Sequence, residues 1–195
     1  MNLVRPITRY DIKGAALYAP IRDDYRNRVI AMKQHRRVFV GDRVEIVFDN
    51  RLILTLQIEE TIRLENLTRD EQIDEEIRLA NELMPTPDSL AATLFIPMPP
   101  GGDAREILGQ MVGLDEHVVL HIGLHALRAA FEQGRSETDR ISAVQYLRFE
   151  MSPDVRAALL TPGTPITVEI DHPRYTHRVE CPEELRASLA ADYGD

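Results

Sequence analysis

The sequence predicts an α+β fold: largely antiparallel sheet, an N-terminal helical segment, and helices packed on one side. Three observations predict it. Apolar residues alternate with polar ones in short blocks such as VFVGDRVEIVF, SAVQYLRFEM and ITVEID, the period of half-buried strands. Other blocks, over 21–36 and 59–83, space apolar residues three and four apart, the period of an amphipathic helix. The two kinds of block come in segregated groups with short connections, which argues against regular βαβ alternation.

Taken in order, residues 8–36 read as mainly helical. Thr8 or Asp11 caps a first short helix, and Pro20 marks a turn or the start of a second. Residues 38–48 read as two strands around the tight turn Gly41–Asp42. Asp49–Asn50 is a second turn signal, and 52–58 reads as a third strand, so 38–58 forms a meander. From Glu59 to Leu83 the apolar spacing predicts one long or two short helices, ended by Pro85 and Pro87. A strand comes next over 90–97, then a helix over 103–112 capped by Asp103 and stopped by Gly113. Strands are expected at 118–122, 142–151, 164–171 and 176–181, with a polar loop at 134–139. Ser152 and Pro153 open a helix to Leu160, and Pro182 opens a terminal one to about Asp192.

The 195 residues, 44% of them hydrophobic, suffice for one buried core. We expect a single domain over 1–195; if it has two lobes, they part near 85–103. The single cysteine, Cys181, excludes an internal disulfide and a self-built iron–sulfur cluster. No run approaches the length of a membrane span, and the N-terminus lacks the apolar core of a signal peptide, so a cytoplasmic location is expected.

The net charge of −9 hides an asymmetry. Residues 1–51 hold eleven Lys or Arg against six Asp or Glu; the remainder holds twelve against twenty-six. The basic stretch is densest from Arg22 to Arg37. An acidic chain without Trp fits a protein partner for this stretch better than nucleic acid.

Three constellations carry candidate chemistry. His117, His121 and His125 have helical metal-site spacing, but Val118, Val119 and Ile122 favour strand. On a strand the outer two stand about 26 Å apart, too far to share an ion. Asp171, His172, His177 and Cys181 flank a hairpin turn, with a local hydrogen-bonding role for His172 as the plainer reading. Glu59, Glu60, Arg63 and Glu65 mark a strand–helix junction, where carboxylates and an Arg could line a pocket or simply favour the helix start. There is no GxGxxG, Walker, GxSxG or HExxH motif.

The segments YRNRVIAMKQHRRVFVGDRVEIVFDNR (25–51), QIEETIRLENL (57–67), NELMP (81–85), SLAATLFI (89–96), SAVQYLRFEM (142–151) and IDHPRYTHRV (170–179) resemble, in order and spacing, the bacterial family known as domain of unknown function 3501. The resemblance runs through essentially the whole chain. Positions matching the family include Arg36, Arg37, Gln57, Glu60, Arg63, Glu65, Asn81, Pro85, Thr93, Arg148, Phe149, His172, Pro173 and Tyr175. Residues 123–134 depart from its pattern, which has a second strand there. Family members look like genomic neighbours of rubrerythrin-like and heterodisulfide-reductase-like proteins, which implies an accessory role in a redox system.

Two functional expectations result. The first is an accessory or binding protein for a redox partner, docking through Arg36 and Arg37. The second is a metal-dependent enzyme with Glu60, Glu65 and His172 around one metal ion, acting on a small anionic substrate held by Arg63 and Arg148. Asn81 and Tyr175 complete the binding candidates, and no cofactor is identifiable. A homodimer through the meander edge is a third reading.

Overall fold

The computed structural model describes residues 3–132, 134 and 140–193. Apart from Gly134, the polar loop expected over 134–139 lies outside them. The first helical stretch is broken as Pro20 suggests: a 3-10 turn boxed by Thr8 and Asp11, then α1 (Gly14–Tyr18), a second 3-10 turn, and α2 (Arg22–Gln34). The hairpin β1 (Arg37–Val40) and β2 (Val44–Phe48) turns at Gly41, whose φ is +71°.

The meander does not continue into a third strand. Residues 52–58, expected as that strand, lie in the helix α3 (Arg51–Leu64). Asn50 decides this, because its side-chain oxygen accepts from the backbone N–H groups of Leu52 and Ile53. The buried stripe Leu54, Ile58, Ile62 then repeats every four residues, so the helical period starts before Glu59. Asn66, at φ +52°, ends the helix in a left-handed turn, and α4 (Asp70–Glu82) returns.

The remaining elements keep the predicted order, with two strands, β5 and β6, that were not expected: β3 (Ser89–Phe95), α5 (Ala104–Gly109, shorter than expected), β4 (Val118–Ile122), β5 (His125–Arg128), β6 (Ala130–Phe131), β7 (Val144–Glu150), α6 (Pro153–Leu160), β8 (Ile166–His172), β9 (Tyr175–Cys181) and α7 (Glu183–Ala191). The stretch 123–132, where this chain departs from the family pattern, still supplies two short strands.

All strand pairs are antiparallel. One sheet runs β1-β2-β3-β7-β6 and the other β5-β4-β8-β9. The period of two buries one face of each: Val40, Ile46, Phe48 and Leu94 join Leu120, Ile122, Val168 and Ile170 in a single core. α6 and α7 add Val155, Leu159, Leu185 and Leu189 to it. A second cluster holds Ile58 and Ile62 of α3 against Ile73 and Ile77 of α4. The helices α2–α4 thus form a third layer beside the five-stranded sheet. β3, central in that sheet, is buried along nearly its whole length. Among the described residues no helix is long and apolar enough to cross a membrane.

Candidate functional site

Most of the polar residues singled out in the sequence are engaged by their own protein. Arg36, expected on a docking surface, is fully buried. Its guanidinium donates to the carbonyls of Phe48, Asp49 and Ser188 and to Asp192 Oδ2 at 2.6 Å. An Arg at the end of a helix with five donors can satisfy that many orphan carbonyls at once, and this is a structural task. Arg37 does lie at the surface, paired with Glu45. Asn81 bonds both backbone groups of Ile7, stitching the N-terminal segment to α4. Arg148 donates to Ser89 Oγ and to the carbonyls of Glu82 and Met84, closing the end of α4.

The HPxY turn is likewise a brace. His172 is buried; its Nε2 donates to the Val112 carbonyl at 2.9 Å, so Nδ1 is free to accept from the Arg174 N–H. Tyr175 Oη donates to the Val40 carbonyl and accepts from the Arg43 N–H, fixing the β1–β2 turn. A Cβ at Gly41 would lie 2.5 Å from that oxygen, so the turn requires glycine.

Glu60, Glu65 and His172 are not brought together as a metal set. Glu60 accepts from Tyr18 Oη, Arg22 and Arg63. The Arg22 guanidinium above all holds its carboxyl down at about 2. Glu65 is exposed at the end of α3, and both ring nitrogens of His172 are taken up at the other sheet. Among the described residues no three His, Cys, Asp or Glu side chains are grouped to hold a metal ion. His117 and His121 pair with Asp171 and Glu169 across β4 and β8. Burial pushes the Cys181 thiol up to about 11.

Two charged groups that the described residues do not fully satisfy, Asp49 and Lys33, face a crevice between the five-stranded sheet and the helical layer. Register builds its floor: Val47 pairs with Thr93 and Thr93 with Tyr146, so the three form one row across β2, β3 and β7. Two residues beyond Val47, Asp49 continues on the same face, its N–H bonded to the Ala91 carbonyl. Lys33 of α2 and Ile53, Leu56, Gln57 and Glu60 of α3 form the roof of a cavity of about 340 Å³. A neighbouring cavity of about 350 Å³ shares Asp49 and Tyr146 and reaches Arg148. A third, of about 200 Å³, shares Tyr146 and Gln57 and reaches Glu76 of α4. The two larger volumes fall at the lower end of small-molecule sites.

Asp49 is the distinctive group. Only 6% of its surface is exposed. Oδ2 accepts from Thr93 Oγ1 at 2.7 Å. Oδ1 has no hydrogen-bond partner among the described residues, and the side chain lines both of these cavities. Burial raises its carboxyl to about 6, against the opposing pull of the Thr93 hydroxyl, Lys33 and Arg36. Such a group can accept from a ligand's ammonium or hydroxyl, or exchange a proton near neutrality. Lys33 is half-buried, and its ammonium makes no ion pair or hydrogen bond among the described residues.

Sequence reasoning missed Asp49, Lys33 and Tyr146 as a group. Asp49 reads as a turn signal, although its parity with Glu45 and Val47 puts it on the helix-facing side of β2. Gln57, Glu60, Thr93 and Arg148, matched to the family by position, do meet along the crevice.

Comparison with known proteins agrees with this whole-chain likeness. A crystal structure of a protein of unknown function from Burkholderia pseudomallei is 28% identical over 97% of this chain and 100% of that chain, with a TM-score of 0.89. No curated protein matches. The family model described as "Protein of unknown function (DUF3501)" matches residues 6–193. That span takes in both sheets, the helical layer and every crevice residue named above, and the chain belongs to the DUF3501 family.

Proposed function

We propose that this protein binds a small molecule in the crevice between the five-stranded sheet and helices α2–α4, with Asp49 as its anchoring group. The observation that carries the reading is Asp49 itself: a carboxyl nine-tenths buried, braced on one oxygen by Thr93, and open to a cavity on the other. Burying a carboxylate without full compensation costs free energy, which a fold recovers only if something else uses the group. The reading keeps the binding role of the accessory-protein expectation and moves its site from the basic N-terminal surface to the crevice. It does not depend on the redox association, which rests on family resemblance alone.

The test is chemical-shift mapping by NMR with a library of small polar fragments on isotope-labelled protein. Fragments that shift the amides of Asp49, Gln57, Thr93 and Tyr146, and lose that effect in Asp49→Asn and Thr93→Val, support the reading. If fragment-induced shifts fall elsewhere, or nowhere, the crevice is not a binding site.

A further inference from the structure

The ligand's chemistry can be read from the charges the cavity keeps apart. Resting on the crevice reading, we propose that the cavity under α2 and α3 takes a zwitterion with an apolar body, in the manner of a free amino acid with a hydrocarbon side chain. Its ammonium would sit on Asp49 Oδ1 and its carboxylate on Lys33.

The charged groups facing this cavity come from three elements. α3 contributes Glu60, whose carboxylate is already satisfied by Arg22, Arg63 and Tyr18. The end of β2 contributes Asp49, with one oxygen unbonded among the described residues. α2 contributes Lys33, with no ion-pair partner among the described residues. Asp49 and Lys33 therefore share one cavity of about 340 Å³ without forming a salt bridge to each other. Two opposite charges that are partly desolvated and do not pair directly favour a molecule carrying both signs between them, since it supplies a charge-assisted partner to each. A cation alone would meet Lys33, and an anion alone would meet Asp49.

The remaining lining fixes the body of the ligand. Val47, Ile53, Leu56, Phe95 and Val144 give the cavity apolar walls, which stabilise a hydrocarbon side chain by burial. Gln57 adds a neutral polar group that can orient it, beside Thr93 and Tyr146 in the same lining.

The experiment is calorimetric titration at pH 7.5 with three probes: L-leucine, L-leucinamide (cation only) and N-acetyl-L-leucine (anion only). Wild-type protein is expected to bind leucine at least tenfold more tightly than either analogue. Lys33→Met should bring leucine down to the level of leucinamide and leave leucinamide unchanged. Asp49→Asn should abolish the preference for leucine over N-acetyl-leucine. Lys33 is half-exposed, so its variant tests the idea even if the buried position tolerates change poorly. Equal binding of a singly charged analogue, or no binding of leucine, overturns the zwitterion. If fragments of one sign or none still map to the crevice by NMR, the binding reading survives that failure. If none maps there, both fall together.

Discussion

Asp49 and Asn50 are neighbours in the chain and meet opposite fates. Asn50 belongs to a closed network. Its oxygen caps α3, its amide donates to Asp192 Oδ1, and Asp192 Oδ2 accepts from Arg36. Asp49 faces the other way, into the crevice, with one carboxylate oxygen unbonded among the described residues. Both residues are buried and polar, so burial alone does not separate structure from function. What separates them is whether the protein's own donors and acceptors account for every lone pair.

The comparison breaks first at Arg36. Arg36→Met leaves Asp192 buried without its cation and should cost about 3–5 kcal/mol in urea unfolding. The double variant with Asp192→Asn should recover part of that loss. If Arg36→Met is nearly neutral, the network is not the structural half of the contrast.

Asp49 should behave in the opposite sense. Its folded carboxyl holds a proton up to pH about 6, whereas an unfolded one releases it near 4. Folding is therefore favoured by this group below pH 4, and that contribution is lost as pH rises through 6. Asp49→Asn, which resembles the protonated form, should stabilise the free protein by up to about 3 kcal/mol at pH 7.5. The gain should vanish near pH 4, and at pH 7.5 the variant should bind leucine no more tightly than N-acetyl-leucine. Denaturant titrations at the two pH values check this. A variant less stable than wild type at pH 7.5 would place Asp49 with the structural residues.

Tyr175→Phe deletes an oxygen that serves Val40 and Arg43 at once, and should cost about 1–3 kcal/mol by thermal or chemical unfolding. It should not alter fragment shifts in the crevice. Smallest is Glu65→Gln: an exposed carboxylate at the end of α3 should change stability by less than about 0.5 kcal/mol and binding not at all. A clear binding defect there would return the carboxylate pocket to contention.

Much of the architecture was legible. Ser152–Pro153, Asp103 and Pro182 marked helix starts because caps and Pro act locally, and the β1–β2 and β8–β9 hairpins announced themselves by alternation, whereas β4–β5 did not. The misreading at 52–58 came from Ile and Thr in a short apolar run, where propensity is weak and a single cap upstream decides. The site was harder. Gln57, Glu60, Thr93 and Arg148 could be picked out as polar positions, but Arg36, Asn81, His172 and Tyr175 belonged to the same set. Their separation into braces and open groups depends on carbonyls brought from Ser188, Ile7, Val112 and Val40, which no local pattern announces. Asp49 needed only parity, carried two residues past Val47.

The Arg36–Asp192 contact also bears on assembly. Its partners lie 156 residues apart. At roughly 5–20 residues per second, synthesis leaves Arg36 waiting on the order of ten seconds for its carboxylate. Until α7 emerges, the hairpin and α3 carry an unanswered cation at their junction, so a nascent chain cannot lock this corner early. The last described helix acts as a keystone for this corner.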